Sequence, residues 1–241
     1  MPWQTFSFHI KLPPEGCEKY WWVDLVLMDK VVGKVIEEKG KEIVPWLFHR
    51  RALSAAEARR ETLRTGKPQE PGHILNFQCR ATREAAEEIH VFLEDCAFKA
   101  LGLGQLLERV SPPIESEGEL GNEDWPAPLQ AVWPFFIHAV SEIVLQLVRQ
   151  TRKEKGCDHG VTDLQQVERC YREIQEHLDD LWQQHGDRFV EDIREQALAR
   201  CEPVRRELEG LAPQYDNIFR HQIKALLGYH PLLRTRQRPS Q

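Results

Sequence analysis

The stretch Trp3-Gln4-Thr5-Phe6-Ser7-Phe8-His9-Ile10-Lys11-Leu12 alternates large apolar and polar side chains over ten positions. Successive side chains of a strand point to opposite faces, so this alternation predicts a β-strand with one buried face. The pair Pro13-Pro14 ends the pattern, because proline cannot donate a ladder hydrogen bond. The segments after this strand must supply its partners in a sheet.

The chain up to residue 110 alternates between helical and extended patterns. Its predicted elements after the first strand are a helix over 19–41, a strand over 43–51, a short helix over 54–65, a strand over 73–80 and a helix over 82–101. This order predicts a split βαβ (ferredoxin-like) sheet with helices on one face. Such a sheet needs a fourth strand, and only Glu108-Arg109-Val110 offers one.

The second half of the chain is predicted to be wholly helical, which makes the fold class α+β. Residues 111–124 combine prolines, glycines and acids and predict a linker between a sheet subdomain (1–110) and a helical subdomain (125–241). Periodicity predicts helices over 125–155, 162–185, 187–208 and 213–227.

The charge distribution argues against a nucleic-acid partner. The chain has 241 residues and a net charge of −6, and the first 110 residues carry equal numbers of basic and acidic side chains, so the excess belongs to the acidic second half. Nucleic-acid binding is disfavoured because neutralising phosphates requires clustered cations.

Two further features predict a cytoplasmic protein without a membrane segment. The longest apolar stretch, Ala131–Val148, contains a proline, a glutamate and several polar residues, which is typical of a buried helix. The six cysteines include no C-x-x-C pair, and the chain start lacks a signal-peptide pattern. We therefore expect reduced thiols in the cytoplasm.

Two motifs that contain histidine or arginine are candidates for proton transfer or for binding an anion. His73 opens a strand after Pro71-Gly72 and could transfer a proton while Arg50 and Arg51 hold a carboxylate; the alternative is a surface histidine at a turn. His49-Arg50-Arg51 could bind a carboxylate or phosphate, or could be a solvated strand end.

Metal and nucleotide motifs are lacking in the sequence. Cys157-Asp158-His159 has no second pair at a zinc spacing, and no glycine-rich nucleotide motif occurs. The sequence therefore predicts neither a metal site nor a bound cofactor.

Three stretches carry a resemblance to a known family. They are Pro45-Trp46-Leu47-Phe48-His49-Arg50-Arg51, Pro71-Gly72-His73-Ile74-Leu75-Asn76-Phe77 and Arg220-His221-Gln222-Ile223-Lys224-Ala225-Leu226-Leu227-Gly228-Tyr229. Together they are similar to the C-terminal domain of lantibiotic dehydratases, which also occurs alone as the thiopeptide-type bacteriocin biosynthesis domain. The resemblance covers about the first 100 residues and the last helix.

This resemblance implies a tailoring enzyme of ribosomally synthesised peptides. It implies a lyase that eliminates glutamate from glutamylated Ser or Thr to form dehydroamino acids, or an enzyme that cyclises dehydroalanines. Carried over residue by residue, the implied catalytic residues are His73, His221 and Arg50, and the implied substrate-binding residues are Arg51, His49 and Asn76. The implied partner is the leader segment of a precursor peptide, which could pair with the sheet edge. A separate glutamylation or ligase subunit and a homodimer remain open.

Two alternatives stay open from the sequence. The family's two strand arginines are replaced here by Leu75 and Asn76 or their neighbours, which leaves room for a non-catalytic peptide-binding or scaffold subunit of the same pathway. Without the resemblance, the chain would be an unrelated helical interaction protein with a small sheet.

Overall fold

A computed structural model describes residues 1–11, 21–40, 42–66, 68, 71–99, 103–116, 127–157 and 163–199. The strands are β1 (Trp3–Ile10), β2 (Trp46–Leu53), β3 (Gly72–Arg80), β4 (Leu107–Val110) and β5 (Ile114–Ser116). The first helix, α1, consists of three successive segments: α-helical Trp21–Val26, π-helical Leu27–Val32 and α-helical Gly33–Lys39. The other helices are α2 (Ala55–Thr65), α3 (Arg83–Lys99), a 3₁₀ turn (Leu103–Gln105), α4 (Ala127–Glu154) and α5 (Leu164–Ala199).

The strands form one antiparallel sheet in the order β2-β3-β1-β4, and β5 pairs with β1 beside β4. Phe6 of β1 and Phe48 of β2 both lie opposite Phe77 of β3, and all three are fully buried on the same face. The structure is thus mixed α/β, with an antiparallel sheet in the N-terminal part and helices in the rest. The predicted fourth strand is present at Leu107–Val110, and β5 lies inside the stretch predicted to be a linker.

Helix α1 lies in the interior of the protein. Every residue from Trp21 to Asp29 is buried, as expected for a helix that is apolar on all sides. The helix packs against α3, α4 and α5, and its apolar side chains belong to the same core cluster as the sheet phenylalanines. Its only charged residues within 21–29 are Asp24 and Asp29.

Helix α4 attaches the helical half to the sheet at the edge strand β2. The Nδ1 atom of His138 lies 2.8 Å from the carbonyl oxygen of Trp46, and the Ser141 hydroxyl accepts a hydrogen bond of 3.3 Å from the Phe48 amide. These backbone groups face away from β3 and would otherwise lack a ladder partner. The α4 side chains therefore cover this part of the sheet edge.

Two sequence expectations about the helical half are wrong. The predicted helix boundary at 185–187 does not exist, because α5 continues through Gly186; one glycine costs a helix interior only about 1 kcal/mol. Cys157 and Cys170 form a disulfide, so the expectation of reduced thiols fails for this pair. The sequence could not show the pair, since its 13-residue separation becomes a contact only when α4 and α5 pack together.

The predicted helix over 213–227 lies outside the described residues. Within the residues that the structure describes, no helix combines the length and the apolar character needed to cross a membrane.

Candidate functional site

Strands β2 and β3 bring Arg50 and His73 together. In the antiparallel register Arg50 lies opposite Leu75, and His73 lies opposite Ala52, so the two residues are diagonal neighbours on one face of the sheet. The Nε–H group of Arg50 donates a hydrogen bond of 2.5 Å to His73 Nε2. This face is the one that also carries the buried phenylalanines.

Helix α1 adds a carboxylate to this pair. Asp24 Oδ2 lies 3.1 Å from Arg50 Nε, and Asp24 Oδ1 lies 3.3 Å from His73 Nε2. One helical turn earlier, the Trp21 ring lies against the guanidinium, with 5.7 Å between Arg50 Cζ and the ring centroid. We call Asp24, Arg50 and His73 the buried triad.

The triad is almost completely withdrawn from solvent. The exposed fraction is 0% for Asp24, 8% for Arg50 and 1% for His73. A charge at such depth is tolerated only with a partner, and the carboxylate and the guanidinium provide this for each other. The triad therefore presents a fixed cation, a fixed anion and an imidazole in one buried position.

The hydrogen bond within the triad runs from Arg50 to His73, and Asp24 contributes through its charge. Among the described residues, neither oxygen of Asp24 has a hydrogen bond of acceptable geometry, although both lie at ion-pair distance. The Arg50 Nε–H points at the imidazole, so its contact with Asp24 is electrostatic. His73 Nδ1 is buried and likewise has no hydrogen-bond partner in the described part of the chain.

Asn76 lies on the opposite face of the sheet from His73. Its side-chain oxygen accepts a hydrogen bond of 2.7 Å from the Ser7 hydroxyl across β1 and β3.

His49 pairs with Asn76 in the register and Arg51 pairs with Ile74. The side chains of His49 and Arg51 are outside the described part of the structure. Of the residues predicted for the site, the structure thus joins Arg50 and His73 and separates Asn76 from them. His221 lies outside the described residues.

Asp24 is the site residue that the sequence reading missed. The available signal was a single acid inside the apolar run Trp21–Met28. A carboxylate in such a helix must find a cation or a set of donors when the helix is buried. The sequence does not show which cation, because this depends on how α1 lies on the sheet.

A second buried acid, Asp29, holds α1 to the other helices. The Tyr171 hydroxyl of α5 donates a hydrogen bond of 2.5 Å to Asp29 Oδ2. From α4, Arg152 Nε lies 3.2 Å from Oδ2 and Arg149 Nε lies 3.6 Å from Oδ1. Arg149 also forms an ion pair of 2.6 Å with Glu37 at the surface. This Asp29 cluster joins α1, α4 and α5.

Neither Cys79 nor a cluster of metal-binding side chains provides a second site among the described residues. Burial raises the pKa of the Cys79 thiol to about 12, which keeps it protonated and unreactive. Within the described residues, no group of three or more His, Cys, Asp or Glu side chains is placed to hold a metal ion.

Comparisons of the chain with protein-family models, with curated proteins and with solved structures found no match.

Proposed function

We propose that this protein is a tailoring enzyme, a lyase acting on a ribosomally synthesised peptide of the lanthipeptide or thiopeptide type. The observation that supports the proposal is the hydrogen bond between Arg50 and His73. Both residues belong to stretches that resemble the family, 23 positions apart in the sequence, and they meet on one face of the sheet. The precursor's leader segment is the proposed partner, and a glutamylation or ligase subunit would be a second one.

We also propose that the sheet belongs to the split βαβ class. The antiparallel strand order β2-β3-β1-β4 supports this proposal. The connections support it too, because α1 links β1 to β2 and α3 links β3 to β4. Helix α2 and strand β5 are additions to that scheme.

The chemistry of glutamate elimination would make two demands on the site. One group must remove the α-proton of the modified residue, and a cation must hold the departing carboxylate. Arg50 is the proposed cation, with a planar fork of donors suited to a carboxylate. A cytoplasmic location is also part of the proposal, although the Cys157–Cys170 disulfide counts against it, because disulfides are rare in cytoplasmic proteins.

The burial of the triad favours a second candidate function. Because no member is more than 8% exposed, Asp24, Arg50 and His73 could be a structural centre beneath a peptide-binding surface. The protein would then be a non-catalytic subunit that holds the precursor for another enzyme.

Co-expression with the precursor peptide separates these candidates. We expect His73→Ala and His221→Ala to abolish the mass change of the peptide while circular dichroism shows an intact fold. His185→Ala, at an exposed position of α5, is the matched control and should leave conversion unchanged. Full conversion by His73→Ala would refute the catalytic proposal. Unmodified peptide that still binds the wild-type protein, with or without His73, would support the scaffold function.

A further inference from the structure

Helix α5 has two sides of opposite character over its first half. The inner side is buried and includes Val167, Tyr171 and Ile174. The outer side lines an open groove of about 530 Å³, and the described residues of this lining all belong to α5: Gln165, Glu168, Arg169, Arg172, Glu173 and Glu176. Most of them are exposed, so this side of the helix presents a row of charges to solvent.

The charges of this outer face are arranged around a central pair. Arg172 and Glu173 lie in the middle of the groove. Arg169 precedes them and Glu176 follows them, seven residues apart, and seven residues make nearly two turns of an α-helix. The exposed Arg169 and Glu176 side chains therefore lie on the same side of α5, one at each end of the row.

The central arginine is held in a defined position. The Nε–H group of Arg172 donates a hydrogen bond of 2.8 Å to Glu168 Oε1, and its Nη2 lies 2.7 Å from the same oxygen. The guanidinium also lies over the Trp22 ring, with 5.9 Å between Cζ and the ring centroid. The middle of the groove is thus an ordered part of the surface.

A second copy of α5, packed antiparallel, would present the complementary charges. With a twofold axis between positions 172 and 173, Arg169 falls opposite Glu176 of the second copy. Arg172 falls opposite Glu173 of the second copy. Because the axis exchanges the two copies, each of these pairs occurs twice.

The same row of charges disfavours neighbouring alignments of two copies. A shift of the second helix by four residues, about one turn, would set Arg169 against Arg172 and would also set Glu168 against Glu173. The opposite shift would set Glu173 against Glu176. Like charges in contact are unfavourable, so the pattern selects against both shifted arrangements.

We propose that the outer face of α5 is an interface on which a second copy of this chain binds antiparallel, through the pairs Arg169–Glu176 and Arg172–Glu173. Such an interface is small and polar, as in transient complexes, and its strength depends on exposed charges. The inference is independent of the proposed function, because a lyase and a scaffold subunit can both be dimeric. The inner side of α5 holds Asp29 through Tyr171, so the two copies would meet one helix away from the Asp29 cluster.

Sedimentation velocity of the full chain over a series of concentrations tests the dimer. We expect a reversible monomer–dimer equilibrium at about 0.1 M salt and its loss at about 1 M salt, because the Debye length falls from about 10 Å to about 3 Å. A protein that stays monomeric at every concentration would overturn the proposal, and so would a dimer that salt does not weaken.

Two charge reversals test the register. In a dimer of Arg169→Glu, or of Glu176→Arg, both outer pairs become like-charged, which should weaken dimerisation by about tenfold or more. An equimolar mixture of the two variants restores both pairs and should form a heterodimer with the affinity of the wild type, identified by its mass in native mass spectrometry. Arg188→Glu changes an exposed cation of α5 outside the groove and is the matched control, with unchanged dimerisation. Circular dichroism verifies the fold of each variant.

The pattern across the variants decides between occupants of the groove. Single variants that dimerise like the wild type, or a mixture that stays monomeric, would overturn the proposed interface. A monomeric wild-type protein whose binding of the precursor peptide is lost in Arg169→Glu would assign the groove to the peptide and would also overturn it. Dimerisation that is lost in each single variant and restored in the mixture supports the proposal, whatever the result of the peptide conversion assay.

Discussion

The charge pairing within the buried triad predicts a large energetic coupling between Asp24 and Arg50. Asp24→Leu would remove the carboxylate that faces the buried Arg50 guanidinium, and Arg50→Met would remove the cation that faces the buried Asp24 carboxylate. Each single change should lower the free energy of unfolding by about 3–5 kcal/mol. For a domain of this size that corresponds to a fall of about 6–20 °C in Tm.

The double variant should be far less damaged than the sum of the single variants. Replacing both charges by apolar groups of similar volume is often close to neutral. The remaining loss is the hydrogen bond to His73, worth about 1–3 kcal/mol in a buried position. The expected coupling energy is therefore at least about 3 kcal/mol.

Urea unfolding followed by circular dichroism measures all four proteins of this double-mutant cycle. The exposed pair Arg83–Glu87, at i,i+4 on α3, is the control and should show a coupling of only about 0.3–0.5 kcal/mol. Single variants that each cost less than about 1 kcal/mol and add without coupling would refute the triad as described.

Three further predictions address other parts of the structure. Tyr171→Phe removes a buried hydrogen bond to the Asp29 carboxylate and should lower the free energy of unfolding, measured by urea titration, by about 1.5–3 kcal/mol. A change of less than about 0.5 kcal/mol would contradict this hydrogen bond. Iodoacetamide at pH 8 should alkylate the partly buried Cys96 but not Cys79, because burial raises the pKa of Cys79 to about 12. Equal labelling of the two cysteines in mass spectra would contradict the burial of Cys79. Ser54→Ala should speed hydrogen exchange in α2, because it removes the N-cap of a complete capping box. Hydrogen bonds from the Ser54 hydroxyl and amide lower the pKa of Glu57, so the part of the stabilisation that the Glu57 carboxylate provides is complete at neutral pH and is lost as the pH falls below about 4.5. Hydrogen exchange in α2 of Ser54→Ala that equals wild type at pH 7 would count against the cap.

The sequence predicts those parts of this fold that depend on local pattern. Alternation identifies β1, and the spacing of apolar residues identifies α1 and α3, because each signal lies within a few residues of the chain. The proximity of Arg50 and His73 is also consistent with the order of elements, because two successive strands of a sheet usually pair. The capping box at the start of α2 is equally local, because Ser54 and Glu57 stand three residues apart in the sequence.

Features that depend on packing between distant segments were not predictable. Asp24 meets Arg50 only because α1 crosses the sheet with one particular side facing it. The Cys157–Cys170 disulfide forms because α4 and α5 lie side by side. The π-helical segment Leu27–Val32 has no pattern in the sequence that distinguishes it from an α-helix.

The two buried acids of α1 explain how this helix acquires a definite orientation. Within the stretch Trp21–Asp29 every side chain is buried, so apolar burial of this part changes little with rotation about the helix axis. Asp24 and Asp29 would lie about 140° apart in a regular α-helix, and they meet different partners. Asp24 pairs with the sheet through Arg50, and Asp29 pairs with α4 and α5 through Arg152 and Tyr171. Rotation of α1 in either direction would separate at least one of these acids from its partners on the sheet or on the neighbouring helices. The two ion pairs therefore favour one side of α1 toward the sheet, and the position of the Asp24 carboxylate beside Arg50 depends on the Asp29 cluster as well as on the sheet.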